Sequence, residues 1–499
     1  MTIKILDKKA PDALIVPLLQ DDSLAGHLAE IAAWVGVDAS VLQRDFSAEP
    51  KEVFVLYTSG SPLRRFYLLG VGKKNGFAEM QAATRSFCHR YKAKLPLKAG
   101  VDLRHFPESD IARLTDAVVT GLSLGLYKIG RFRTEKSEKP APTFGSGKSE
   151  LQIMVPSGAL APAVEAARRG EVFAAATLQI FDLMNAPANH KTPAMVADWV
   201  KAAGQQAGFD VKVLEKEEII DEGLDALFAV SKGSPNAPAL VLLEYSPKTK
   251  KSGAPLIGLV GKGVTFDSGG ISLKPSANMH LMKSDMGGAA AVMGAFVVAA
   301  RLRLPVRLIG AVPLTENMVD GQAVKPGDVI GSYAGKTIEV TDTDAEGRLI
   351  LADAMAYLLK RQKPDVLIDI ATLTGSIIRA IGYHAAGVFT QNDQLADQLT
   401  RAGARCGERL WRMPMWDEYG ADLKSDIADL RNFTGKPMAE SISAAKFIEH
   451  FSDGHAAWAH LDIAGTAFGD SEFAQGKSAT GFGIRLLTEF AEAALGGLG

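Results

Sequence analysis

Two stretches of this chain carry charges where the surrounding residues are built for burial. In the first, LIGLVGKGVTFDSGGISLKPSANMHLMKSDMGG, an apolar run ends in Lys262, Asp267 follows within a Gly/Ser turn, Lys274 comes next, and Asp285 stands just before a stretch of small residues. In the second, KTIEVTDTDAEGRLILADAMAYL, a strand-like segment opens into Asp342, Asp344 and Glu346, and Arg348 follows as a helical pattern begins. An unpaired charge is costly to bury, so such groups are normally paired or bound to a metal. Carboxylate oxygens with few histidines suit magnesium, manganese or a dinuclear zinc site. Asp267, Asp285, Asp344 and Glu346 supply the four negative charges that two divalent ions would balance. Two such ions, about 3.5–4 Å apart, deprotonate a water and polarise a carbonyl or phosphoryl oxygen, which is hydrolase chemistry.

Simpler readings account for less. Surface ion pairs explain any one of these charges but not the set. Carboxylates are favoured at helix N-termini, which covers one or two of the acids in the second stretch, not three beside an arginine. A phosphate-binding loop fails because Leu256 stands where its first glycine belongs and Gly263, not Ser or Thr, follows Lys262. The nine histidines form no HExxH and no HxH, and no GxSxG occurs. His450, His455 and His460 recur at a spacing of five, which suits neither a helix face nor a strand face, and read as core or surface residues.

Strand and helix patterns alternate around these stretches: VKVL, ALVLLEY, LIGLVG, the small-residue helix, RLIGAVPL, KTIEV, LILADAMAYLLKRQ and VLIDIATL. That alternation predicts an α/β catalytic domain with a mostly parallel central sheet flanked by helices. Ligands of such sheets sit beyond the carboxyl ends of the strands. Residues 161–184 read as a linking helix ended by the two prolines of NAPANHKTP, with an N-terminal domain over 1–160 and the catalytic domain over 161–499. The N-terminal part shows strand-like text at 53–59 and 66–72 and a helical segment from residue 111, forming a smaller α/β domain without legible chemistry. Residues 136–150, rich in Lys, Pro, Ser and Gly, read as an exposed loop.

Composition narrows the partners. Lys plus Arg number 55 against 57 Asp plus Glu, a net charge of -2, so no bulk field draws the chain to nucleic acid or a membrane. The near-apolar run at 287–300 is too short to span a bilayer, and the N-terminus carries no signal-peptide core. Two distant cysteines, Cys88 and Cys406, fit a reducing compartment, and a cytoplasmic location is expected.

The run DTDAEGRL (342–349) resembles the NTDAEGRL signature of the leucyl, or cytosol, aminopeptidases. Further matches in the family's order are VGKGVTFDSGG, Lys274-Pro275, Lys283-Ser284-Asp285-Met286, NAPANHKTP, TLTG, SDIAD, HLDIAGTA and ATGFG. The resemblance implies a dinuclear metallo-exopeptidase in which Lys262, Asp267, Asp285, Asp344 and Glu346 hold two ions, manganese or zinc. Lys262 would bind as a neutral amine, and Asp267 and Glu346 would bridge. It further implies that Lys274 is a catalytic lysine and that Arg348 is a catalytic arginine holding bicarbonate. Met282, Thr372, Gly375 and Ala464 would line the pocket for the first side chain. A bridging hydroxide would attack the first peptide bond of substrates with a free N-terminus, Leu and other apolar residues being preferred. A homo-hexamer is implied as well. Where the signature has Asn this chain has Asp342, expected to point to solvent. A dinuclear phosphohydrolase is the nearest rival chemistry, and DNA binding by the N-terminal domain is disfavoured by the near-neutral charge.

Overall fold

The continuous apolar segments ALIVPLL and RFYLLGVG become neighbouring parallel strands, Ala13–Leu19 and Arg65–Gly72, buried on both faces as parallel strands generally are. The computed structural model describes residues 1–6, 11–58, 65–134, 144–247, 253–470 and 472–496. Contacts divide the chain into two compact units, Met1–Leu178 and Gln179–Gly499, and the long helix Leu160–Asn185 runs through the division.

In the first unit a six-stranded sheet has the order Thr2–Leu6, Glu150–Met154, Lys98–Asp102, Ala13–Leu19, Arg65–Gly72, Val53–Tyr57. Only the last of these pairs antiparallel. Side chains alternate along Ala13–Leu19. Leu14, Val16 and Leu18 pack with Leu28, Ile31 and Val35 of helix Leu24–Val35, whereas Ala13 and Ile15 face helices Phe77–Tyr91 and Glu108–Gly125. The strand read at 53–59 is Val53–Tyr57, with residue 59 outside the described residues, as are 136–143 of the expected loop.

The second unit is built on a nine-stranded sheet. Its central strands run Trp458–Asp462, Val366–Ala371, Leu256–Gly261, Arg307–Asn317, all parallel, with antiparallel Ala239–Tyr245 and Asp210–Leu214 beyond. The short strand Gly263–Asp267 continues past Lys262 and pairs with the far half of Arg307–Asn317. Helix Gly287–Leu302 is buried from Gly287 through Ala300. Its small residues follow from how closely it lies on the sheet: a Cβ on Gly288 would collide with the Ile370 carbonyl, and one on Gly294 would meet Ile484 at 2.7 Å. The stretch Met279–Leu302 is long and apolar enough to cross a membrane, but 89% of its most apolar 18-residue window is buried in this core. Helix Glu346–Gln362 begins one turn earlier than LILADAMAYLLKRQ suggests. Buried Asp353 fixes it by accepting from the Leu227 and Tyr333 backbone N–H groups at 2.9 and 2.8 Å.

Candidate metal centre

The charged residues picked from the sequence sit at the ends of strands and helices or in the loops between them, Arg348 lying in the first turn of helix Glu346–Gln362. Lys262 separates Leu256–Gly261 from Gly263–Asp267, and its backbone is held from both sides. Its N–H donates to Ile370 O (3.1 Å) and its carbonyl accepts from Ala289 N (2.8 Å). Asp267 ends its strand. Gly269 and Gly270 then take positive φ values of 89° and 64°, a turn that side-chain-bearing residues rarely adopt, and Gly269 N–H bonds back to Asp267 Oδ1 at 2.9 Å. Asp285 stands just before helix Gly287–Leu302, and Glu346 opens helix Glu346–Gln362.

These elements converge. Lys262 Nζ lies 2.8 Å from both Asp285 Oδ2 and Glu346 Oε1 and 3.2 Å from Thr372 O. Lys274 Nζ lies 2.8 Å from Asp267 Oδ2 and 2.5 Å from Asp344 Oδ1. One oxygen each of Asp267, Asp344 and Glu346 falls within 4.8 Å of the others, a spacing that a metal ion can bridge. Lys262, Asp267 and Glu346 are 3%, 2% and 1% exposed.

Four carboxylates against two ammonium groups leave two negative charges in a nearly dry pocket. The strain shows in the protonation equilibria. Burial, then the Glu346 charge, raises Asp267, and burial pushes Asp285 well above the carboxylate range despite Lys262. Burial with Asp267 and Glu346 lifts Asp344 to about 7. Burial would also raise Glu346, but Lys262 and Lys274 together hold it below its ordinary value. Burial by itself would lower both lysines, yet the surrounding carboxylates outweigh it and raise them. Among the described residues, Asp285 Oδ2, Asp344 Oδ1 and Glu346 Oε1 find no well-directed hydrogen bond. The ammonium groups stand at ion-pair distance from them, so charge attraction rather than directed bonding holds these oxygens. Buried carboxylate oxygens under-bonded in this way fit divalent cations.

Around this cluster lie Asn317 and Thr343, which the sequence reading passed over, and Arg348 and Asp342, which it named. Asn317 Nδ2 donates to Asp267 Oδ1 (2.9 Å) and to Thr343 O (3.0 Å), tying the two charged stretches together. Thr343 Oγ1 donates to Gly269 O (2.7 Å) and accepts from Ser272 N. Arg348 is buried, which lowers its pKa; its Nη1 donates to Asn432 O at 2.7 Å, and its Nε is without a hydrogen-bond acceptor among the described residues. Asp342 does not point to solvent: half-buried, its Oδ1 accepts from Asp344 N at 2.8 Å, a turn contact that an asparagine oxygen makes equally well.

Of the expected pocket residues, Thr372 reaches the cluster directly, its Oγ1 donating to Asp285 Oδ1 at 2.8 Å. Gly375 begins helix Gly375–Ile381, and Ala464 follows strand Trp458–Asp462. Buried Asp462 joins their two turns by accepting from Leu373 N (3.2 Å), Thr374 Oγ1 (2.7 Å) and Ala464 N (3.1 Å). Met282 is half-buried in the turn Met279–Ser284 that leads to Asp285. His460 is a core residue: its Nδ1 lies 2.5 Å from Asp369 Oδ1, and Asp369 also accepts from Trp458 Nε1. His455 is bonded to backbone instead, its Nε2 2.9 Å from Pro364 O.

The likeness to known proteins covers both units. Residues 180–488 match the catalytic domain of the cytosol aminopeptidase family, and residues 15–136 match that family's N-terminal domain. A probable cytosol aminopeptidase of Chloroherpeton thalassium is 40% identical over 496 residues, covering 96% of each chain. One from Chlorobium phaeobacteroides is 42% identical, covering 97% of this chain and 98% of its own. The solved structure of the bottromycin maturation enzyme BotP in complex with Mn is 33% identical with a TM-score of 0.83, covering 97% of this chain and all of BotP. Matched over most of its length by both family models and by relatives at 40–42% identity, the chain belongs to the cytosol aminopeptidase family of metal-dependent peptide hydrolases.

Proposed function

We propose that the chain removes single N-terminal residues, Leu and other apolar residues preferred, from peptides with a free α-amine. Lys262, Asp267, Asp285, Asp344 and Glu346 would hold two divalent ions per chain, manganese or zinc. When bound, the ions supply Lewis acidity toward the scissile carbonyl and lower the pKa of water. The observation that carries this reading is the set of buried, under-bonded carboxylate oxygens converging from two separate stretches.

The remaining roles belong to the chain's own side chains. Lys274 is 21% exposed, held by Asp267 and Asp344, and kept charged by them. Such an ammonium can donate to the carbonyl oxygen as negative charge develops there. Arg348, buried and with its Nε unbonded among the described residues, would hold a small anion such as bicarbonate, which would supply a proton-accepting oxygen there. Met282, Thr372, Gly375 and Ala464 would shape the pocket for the first side chain, whose partly apolar lining favours Leu-like residues. BotP bears the name of a bottromycin maturation enzyme, so a leucine preference is to be tested rather than carried across.

We also read the chain as a homo-hexamer in the cytoplasm. Trp411, Trp416, Ile427 and Met438 are 63–69% exposed, apolar surface that an assembly would cover. Both cysteines are free and buried, which supports a reducing compartment. Light scattering on the purified protein tests the assembly.

The deciding assay is a panel of Leu, Phe, Lys and Asp arylamides, free and N-acetylated dipeptides, and a phosphomonoester, with manganese or zinc added. Release from free-amine Leu substrates, with acetylated ones inert, is the expected result. Hydrolysis of the phosphomonoester alone would overturn the reading.

A further inference from the structure

The first unit contains a crevice that peptide hydrolysis leaves unused. Strands Ala13–Leu19 and Lys98–Asp102 are parallel neighbours inside its sheet, yet the chain leaves them toward opposite faces. Helix Leu24–Val35 packs with Val16 and Leu18 on one face, while helix Glu108–Gly125 packs with Ile15 and Val101 on the other. Divergence of this kind opens a gap at the carboxyl ends of the strands, the place where open α/β sheets bind ligands. Here the gap measures about 520 Å³, within the range of small-molecule sites.

Its lining is chemically two-sided. Val16, Leu18 and Ile31 form a buried apolar floor. Trp34 makes a wall, edge-on to Phe66 at 5.0 Å, with 49% of its surface still exposed. Three charged side chains of both signs line the crevice, Glu30, Asp102 and Arg104. Glu30 brings a carboxylate with no ion-pair partner among the described residues. Arg104 brings a guanidinium that Asp102 grips at 2.9 and 2.6 Å, which aims it and leaves three of its five N–H donors free of that grip. The imidazoles of His27 and His105 meet edge to face at 5.0 Å, and His105 Nε2 donates to the Pro17 carbonyl at 2.8 Å, fixing that ring.

We propose that this crevice binds one free α-amino acid with a branched apolar or aromatic side chain. Glu30 takes the ammonium, the spare donors of Arg104 take the carboxylate, and the side chain lies on Val16, Leu18 and Ile31 against Trp34. The pairing of an anionic group and a cationic group around one apolar floor matches a zwitterion better than a ligand of single charge. Such an amino acid is what the proposed peptidase would release; that link, though not the site itself, rests on the reading above. The crevice would then let the enzyme sense its own product.

The test is equilibrium titration of the full-length protein with L-leucine and L-phenylalanine, followed by calorimetry and tryptophan fluorescence. Expected is a binding step that weakens at least about tenfold in Glu30→Gln and in Arg104→Gln, as loss of a hydrogen bond to a charged group predicts. Trp34→Phe removes its fluorescence change, and hydrolysis of an arylamide without added amino acid is unchanged in all three. Phenylalaninamide and N-acetylphenylalanine, each lacking one charged end, bind the unaltered protein at least about tenfold more weakly. Those two ligands decide the matter even if a variant fails to fold. Equal affinity for capped and free amino acids, or a binding step indifferent to all three substitutions, overturns the proposal. Binding without any peptide hydrolysis would overturn the peptidase reading and leave the crevice standing; hydrolysis without binding would do the reverse.

Discussion

Gly347, in the first turn of helix Glu346–Gln362, owes its identity to Lys262, and exchanging it for alanine tests the centre without touching a charge. A Cβ at this position would lie 2.6 Å from Lys262 Cε and Nζ. Carbon contacts become favourable near about 3.5 Å, so the end of the lysine must retreat by roughly 1 Å. Its Nζ sits 2.8 Å from Asp285 Oδ2 and from Glu346 Oε1. The same retreat carries it beyond hydrogen-bond range of at least one of them. Alanine gains about 1 kcal/mol over glycine inside a helix, and overpacking of this kind costs about 1–3 kcal/mol. Gly347→Ala should therefore lose at most about 2 kcal/mol of fold stability. Its manganese affinity should fall about 10–100-fold, as it does when the surroundings of a ligand are disturbed. Lys262→Ala removes the ligand and the clash together, so the double variant should bind manganese no worse than Lys262→Ala alone. Calorimetric titration of the four proteins, with circular dichroism for folding, measures this. Unchanged manganese affinity in Gly347→Ala, or strictly additive losses, would refute the reasoning.

Lys274→Ala should lower turnover of a Leu arylamide at least about 100-fold, the scale seen when an oxyanion donor is removed, while two metal ions stay bound; full turnover would end its assigned role. Asp462→Ala should raise KM for Leu arylamides and cost about 2–4 kcal/mol, because three donors in two turns lose their acceptor. Asp462→Asn keeps an acceptor oxygen and should cost under about half as much by denaturant titration. Lys191 is fully buried, with its Nζ bonded to Met184 O at 2.8 Å, and burial, then Lys283, depresses its pKa to about 7. Between that value and the lysine value of 10.5 in the unfolded chain, the unfolded state binds more protons. Stability should thus rise with pH across this window, by at most about 1.4 kcal/mol per unit, and be lost as pH falls toward 7. Lys191→Met should flatten that slope in denaturant midpoints from pH 7 to 10, and an unaltered slope would contradict the assignment.

Much of the centre was legible because charge in an apolar context is a strong signal: Lys262, Asp267, Asp285 and Glu346 each interrupt residues that otherwise form buried strands or helices. Helix Leu160–Asn185 and the strands Ala239–Tyr245, Leu256–Gly261 and Val366–Ala371 were equally plain, the helix from its apolar spacing and the strands from mostly apolar runs preceded by Pro or Asp. Asn317 was missed because its role depends on the pairing of Gly263–Asp267 with Arg307–Asn317, a register no local pattern encodes. The polar pair Glu316-Asn317 at the end of an apolar strand was the one available hint. Asn432 lies in a loop of ordinary composition; its carbonyl accepts from Arg348, and its side chain accepts from Thr341 N and donates to Asp342 O, contacts between segments 90 residues apart that no local pattern encodes. Asp342 misled because its turn contact with Asp344 N is local yet depends on a side-chain rotamer. In the first unit the acids and bases of the crevice are scattered over residues 27–105, and only the sheet brings them together.

The central claim is that two divalent cations share the pocket formed by Asp267, Asp285, Asp344 and Glu346. Elemental analysis of the protein after manganese loading and removal of free ion tests it most directly, run beside Glu346→Gln with matched circular dichroism. The account predicts two ions per chain in the parent and fewer than one in the folded variant. One ion or none in the parent, or two retained in Glu346→Gln, would contradict it.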